Sequence, residues 1–146
     1  MKLERQESFG WLIAVLGQEL ASGLDSRLRS MGLDLTYWPT LFALWEEEGI
    51  TQTELSQRCG TAKYTTTRVL DSLESLGLVE RRLDPASRRS RLVYLTENGR
   101  AIEAEATQQA RECNEEFLDY LSEEEGYHLI SLVKKLISAK RPELMG

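Results

Sequence analysis

Cationic and hydroxyl side chains crowd two short stretches of this 146-residue chain. The first carries Thr61, Lys63, Tyr64, Thr65, Thr67 and Arg68 within about two helical turns. The second, VERRLDPASRRSRLVYL, carries Arg81, Arg82, Arg88, Arg89 and Arg91 against only Glu80 and Asp84. A guanidinium group bonds bidentately to phosphate or to the acceptor edge of guanine. Lysine reaches the same partners as a point charge, and Thr or Tyr can donate to phosphate or touch a thymine methyl. The chemistry these residue types support is recognition of a polyanion whose base edges can also be read. The competing reading is a solvated, highly charged hairpin beside an ordinary surface helix. A helix face built only for solubility would carry Glu and Lys in i,i+4 pairs, and this outer face has none.

Catalytic chemistry finds little support. The single histidine, His128, is followed by Leu129 in an amphipathic run and reads as a surface or helix-packing residue. There is no Gly-rich phosphate loop, no nucleophile elbow and no metal-spaced cluster, so neither an enzyme nor a bound cofactor or metal is expected. Glu46–Glu48 and Glu123–Glu125 read as solvated or capping acids. Cys59 and Cys113 lack ligand spacing and read as inert thiols in a reducing, cytoplasmic setting. No apolar run approaches a membrane span, so no membrane partner is expected.

The charge is unevenly placed. The total is −6. Residues 61–100 hold eight basic and five acidic residues, a local +3, which leaves −9 for the rest. A basic surface on an acidic body can steer a polyanion despite the sign of the total.

The elements that must position these groups follow from hydrophobic period. Phe9, Leu12, Ile13, Leu16, Leu20, Leu24, Leu28 and Met31 recur at three and four residues, which predicts a first helix over Glu7–Met31 ended by Gly32. A second helix follows in TYWPTLFALWEEEG, with Thr36 as its cap and Pro39 in its first turn. Thr51 and Glu54 form a capping box opening a short helix that Gly60 closes. Thr61 then caps a helix to Leu76, burying Ala62, Thr66, Val69, Leu73 and Leu76 and turning Lys63, Tyr64, Thr67 and Asp71 outward, with Arg68 at the edge. Two helices across a tight Gly-containing turn make a helix-turn-helix.

Next, alternation in LVERRL and RLVYL around Asp84-Pro85 predicts a β-hairpin, with Val79, Arg81 and Leu83 sharing one face. Thr96 caps a long helix to Leu121. Ser122 and Glu125 open the last helix, whose Leu129, Leu132, Val133, Leu136 and Ile137 make a wide apolar face. Tyr37, Trp38, Phe42 and Trp45, with Trp11, form an aromatic-rich set that reads first as core packing and second as a pocket for a planar ligand.

This order of elements resembles the MarR/SlyA family of bacterial transcriptional regulators over nearly the whole chain. The resemblance rests on the helix-turn-helix, then Leu73, Gly77, Leu78, Val79 and Arg81, then Asp84, Pro85, Arg89, Leu95, Thr96 and Gly99. Ser87 stands where the family usually places an acid two positions before the wing-tip arginine. The resemblance implies a mainly α (α+β) winged helix-turn-helix with a small β-hairpin wing, as one MarR-type domain over 1–146. Within it, 35–96 would bind double-stranded DNA, and 1–34 with 97–146 would form a helical region that makes a homodimer. It also implies a repressor acting on a pseudo-palindromic operator. Its DNA contacts would come from Thr61, Lys63, Tyr64, Thr65, Thr67, Arg68, Arg81, Arg88, Arg89 and Arg91. A small aromatic or phenolic effector would lie near Trp11, Tyr37, Trp38 and Trp45. The alternative is a winged-helix protein-interaction module that binds no specific DNA.

Overall fold

Periodic apolar residues organise the chain into seven α-helices and one small sheet in the computed structural model, which describes residues 1–146. The helices are α1 (Phe9–Arg29), α2 (Trp38–Glu46), α3 (Gln52–Cys59), α4 (Lys63–Ser75), α5 (Glu97–Ala101), α6 (Glu103–Leu118) and α7 (Glu123–Lys140). Strands β1 (Ile50–Thr51), β2 (Val79–Asp84) and β3 (Ser87–Leu95) form an antiparallel sheet in the order β1-β3-β2. The mainly helical winged-helix class expected from sequence is therefore the one observed. The chain divides into two compact units, Asp25–Gln109 and Met1–Leu24 with Ala110–Gly146. No helix is long and apolar enough to cross a membrane.

In the unit Asp25–Gln109, Leu28, Leu41, Leu44, Leu55, Leu70, Leu73 and Val93 are completely buried. On α2 and α4 the buried residues recur three or four apart, as on a one-sided helix. On α4 the buried face is Thr66, Val69, Leu70 and Leu73. Leu70 joins the expected set, and Ala62 and Leu76 leave it. Both lie at the helix ends, as N-cap and C-cap, where the wheel no longer dictates direction.

Capping decides several boundaries. The Thr51 hydroxyl accepts from the Glu54 amide at 3.1 Å and starts α3. Gly60, at φ 65°, closes α3 in the left-handed conformation that costs glycine nothing. Thr61 does not cap α4. The chain stays extended through Ala62, the actual N-cap, and the Thr61 hydroxyl instead lies 2.9 Å from that of buried Thr66. Thr36 is likewise not a cap. Asp34 accepts from the Thr36 amide and hydroxyl, opening a 3-10 turn, Leu35–Tyr37, ahead of α2.

Thr96 caps as expected, accepting from the Gly99 amide at 3.1 Å. The long helix after it is interrupted at Ile102, which separates α5 from α6. Gly99 sits where a Cβ would lie 2.1 Å from the Leu78 carbonyl oxygen, so only glycine lets α5 approach the start of β2 this closely.

In the other unit, buried Cys113 lies against Gly23 and its thiol reaches the Leu20 carbonyl at 3.9 Å. Ser122 and Glu125 form a reciprocal capping box at 3.1 and 2.9 Å, which starts α7. Phe9, Leu12, Ile13 and Leu16 of α1 and Leu129, Leu132, Val133, Leu136 and Ile137 of α7 are all exposed.

Candidate nucleic-acid interface

Lys63, Tyr64, Thr65 and Arg68 project from the outer face of α4, and Thr67 is half-buried beside them. The Thr67 hydroxyl donates to the Lys63 carbonyl at 2.9 Å and faces the Gln52 amide at 3.4 Å. The Arg68 guanidinium lies over the Tyr64 ring, 5.6 Å from its centre, and Nη1 donates to the phenol oxygen at 3.0 Å.

A polar groove of about 220 Å³ opens between α4 and the hairpin. Thr51, Gln52 and Ser56 line it from the α3 side, Lys63 and Thr67 from α4, and Arg89, Ser90 and Arg91 from β3. The hairpin turns tightly at Pro85-Ala86, where the Asp84 carboxylate accepts from the Ala86 amide at 2.9 Å. Its register then jumps. Asp84 pairs with Ser87 and Leu83 with Arg91, which leaves Arg88, Arg89 and Ser90 without partners on β2. Such a bulge bends the strand and re-aims its side chains. Ser87 uses its hydroxyl on the Arg89 amide at 3.3 Å, so it fixes the backbone and leaves the Arg89 guanidinium unheld.

Two of the five hairpin arginines, expected to face an external anion, are engaged within the molecule. Arg81 is bridged by Asp71 and Glu74 of α4, each at 2.6 Å, with its side chain only 19% exposed. Arg82 pairs with Glu80 and lies 4.0 Å from the centre of the Tyr94 ring. Both stand on the part of β2 nearest the helices, where carboxylates and an aromatic ring are within reach. Leu83, expected to share a face with buried Val79, is 63% exposed because it lies beyond the helices that would cover it. The ion pairs in this unit's middle use Arg58, Arg81, Arg82 and Arg100, which leaves Lys63, Arg68, Arg88, Arg89 and Arg91 with no carboxylate partner.

Glu48 is not the solvated acid its run suggests. Its Oε1 accepts from the Leu95 amide at 2.9 Å and from Arg100 Nη2 at 2.8 Å, and its Oε2 accepts from Arg100 Nε at 3.0 Å. The Arg100 hydrogen bonds hold this carboxyl below the usual carboxylate range, with partial burial opposing them and the Leu95 amide adding to them. The strut ties the end of α2 to the root of the hairpin.

The aromatic set is split. Trp38 meets Phe42 at 5.2 Å and Trp45 at 5.8 Å, and the Trp45 indole donates to the Gly99 carbonyl at 2.9 Å. Trp45 is thus a strut between α2 and α5. Tyr37 and Trp38 are half-buried. Trp11 belongs to the other unit, where Arg5 lies 5.2 Å over its ring. Burial pushes the Cys59 thiol up, with a weaker opposing contact from Thr40. No cluster of three His, Cys, Asp or Glu could hold a metal ion.

Comparison with known proteins places these features. Residues 31–90 match the family model described as the MarR family. The transcriptional regulator HosA of Escherichia coli O111:H- is 37% identical over 108 residues, spanning 73% of this chain and 80% of HosA. A probable transcriptional regulator from Pseudomonas aeruginosa superposes with a TM-score of 0.84 at 30% identity, covering 92% of this chain and all of that one. The repressor CouR, solved on a 23-mer DNA duplex, shares the fold at a TM-score of 0.84 and 24% identity, covering 93% of this chain and 99% of CouR. CouR from Rhodococcus jostii RHA1 has also been solved with p-coumaroyl-CoA, at a TM-score of 0.83 and 21% identity over 97% of both chains. These relatives are regulators, so the chain is not an enzyme. With a winged helix-turn-helix, a hairpin of matching motif and a HosA-like sequence over most of its length, the chain belongs to the MarR family of transcriptional regulators.

Proposed function

We propose that this regulator binds double-stranded DNA as a homodimer and represses transcription. The observation that carries the reading is the set of five cations without carboxylate partners, Lys63, Arg68, Arg88, Arg89 and Arg91, gathered on α4 and the hairpin of a chain whose net charge is −6. Intramolecular pairing consumes the neighbouring arginines and spares these. Helix α4 enters the major groove with Lys63, Tyr64, Thr65 and Arg68 foremost. Arg88 and Arg89 of the bulged wing reach the adjacent minor groove or its phosphate walls. The groove holding Lys63, Arg89 and Arg91 then accepts the sugar–phosphate backbone between them.

The homodimer is supported by the exposed apolar residues of α1 and α7, since long apolar stripes left open on helices mark interaction surfaces. Two-fold symmetry gives a pseudo-palindromic operator with half-site centres about one helical turn, roughly 10 bp, apart. Repression is the role of the DNA-bound neighbour CouR. A small aromatic effector near Tyr37 and Trp38, the half-buried members of the expected set, would release DNA only by favouring a dimer state that DNA does not.

Selection from a random duplex pool, followed by a salt titration on the selected site, tests the reading. Affinity should fall with salt at a log–log slope of about −0.9 per phosphate neutralised. Failure to bind any duplex at low ionic strength would leave the interaction-module alternative standing.

A further inference from the structure

We infer that Tyr64 and Arg68 form a preset guanine reader, in which the phenol holds the arginine so that its free edge meets one guanine in each operator half-site. The inference rests on the DNA-binding reading above and adds to it the base that is read. Tyr64 is 70% exposed and has no place in the core, so packing does not account for it. Its oxygen accepts from Arg68 Nη1 at 3.0 Å, and its ring lies under the same guanidinium. The two are four residues apart on α4, the spacing at which helical side chains meet. The contact draws the guanidinium toward the N-terminal turn of α4, the part of such a helix that reaches base edges.

The donor arithmetic fits guanine. With Nη1 committed to the phenol, Arg68 keeps its Nε and Nη2 donors side by side, the fork that fits guanine N7 and O6. A phosphate accepts the same fork, so it is the aim toward the N-terminal turn of α4, where base edges are reached, that points to guanine. The surroundings keep the fork available. Asp71, the natural i+3 partner for Arg68, is taken by Arg81 at 2.6 Å. The Thr67 hydroxyl is turned back to the Lys63 carbonyl and does not compete. Fixing a long side chain before binding also reduces the rotamer entropy lost on binding.

The test compares the selected operator with the same duplex carrying 7-deazaguanine, which lacks the N7 acceptor, at each guanine in turn. The wild-type protein should lose about tenfold in affinity at either guanine of one symmetric pair, the worth of a charge-assisted hydrogen bond. Arg68→Ala should be insensitive to the replacement at that position. Tyr64→Phe, which keeps the ring and removes the oxygen, should shrink the guanine to 7-deazaguanine ratio about two- to threefold, and Tyr64→Ala should shrink it further. Circular dichroism melts report whether each variant is folded. A wild-type protein that binds duplex yet ignores every 7-deazaguanine overturns the guanine assignment alone. An undiminished ratio in folded Tyr64→Phe and Tyr64→Ala overturns the role of the phenol. Absence of any duplex binding by the wild type defeats the DNA-binding reading itself.

Discussion

Glu48 shows how one side chain can anchor a functional element from outside it. Its carboxylate gathers the Leu95 amide and the Arg100 guanidinium, so its charged form is favoured in the folded state. A carboxyl whose folded pKa lies below its unfolded value adds stability at pH values above the unfolded pKa. That contribution disappears as pH falls through the folded pKa. Glu48→Gln should therefore cost about 1 kcal/mol near pH 7. The gap between variant and wild type should close as the pH is lowered through the carboxylate range, measured by urea unfolding at a series of pH values. A gap that holds constant into acid would show that the charge is not what stabilises the strut. Nothing in the sequence announces this role, because the partners lie 47 and 52 residues away. Thr51, Asp84 and Ser122 were legible for the opposite reason: each bonds a backbone amide two or three residues ahead.

At the scale of the element, the hairpin divides its arginines by distance from the helices. Arg81 braces β2 against α4 through Asp71 and Glu74, whereas Arg89 projects from the bulge with no ion pair. Arg81→Ala should lower unfolding free energy by about 1 kcal/mol, since it removes a largely covered guanidinium that pairs with two exposed carboxylates. Arg89→Ala should leave stability within about 0.5 kcal/mol. It should weaken duplex binding and reduce the salt slope by about one unit. Denaturant melts and a salt series on both variants would separate the two. Equal effects of both substitutions on slope would erase the distinction. Alternation and Asp-Pro made the hairpin readable, yet alternation cannot tell a bracing arginine from a projecting one. The two-residue strand β1 is too short to alternate at all, and the break at Ile102 falls inside an unbroken helical period.

At the scale of the whole molecule, the apolar stripe of α7 was visible in its period, but period alone does not say what covers it. Leu132 and Leu136 are 45% and 51% exposed in the single chain. If a second copy covers them, changing both to Asp should shift the light-scattering mass from dimer to monomer. It should also weaken operator binding by about a hundredfold or more, because each half-site would then be gripped alone. An unchanged mass would place the dimer contact elsewhere. The sheet sets one more property of the hairpin. Strand β1 joins β3 only at Val93 and Leu92, so the inner end of the hairpin is three strands wide and bolted by Glu48, while the outer end is a two-stranded ribbon. A lever clamped at its fulcrum bends toward its free end. If the wing enters the minor groove as proposed, duplexes of different groove width would be accommodated by the residues from Leu83 to Arg91, leaving the seat of α4 undisturbed.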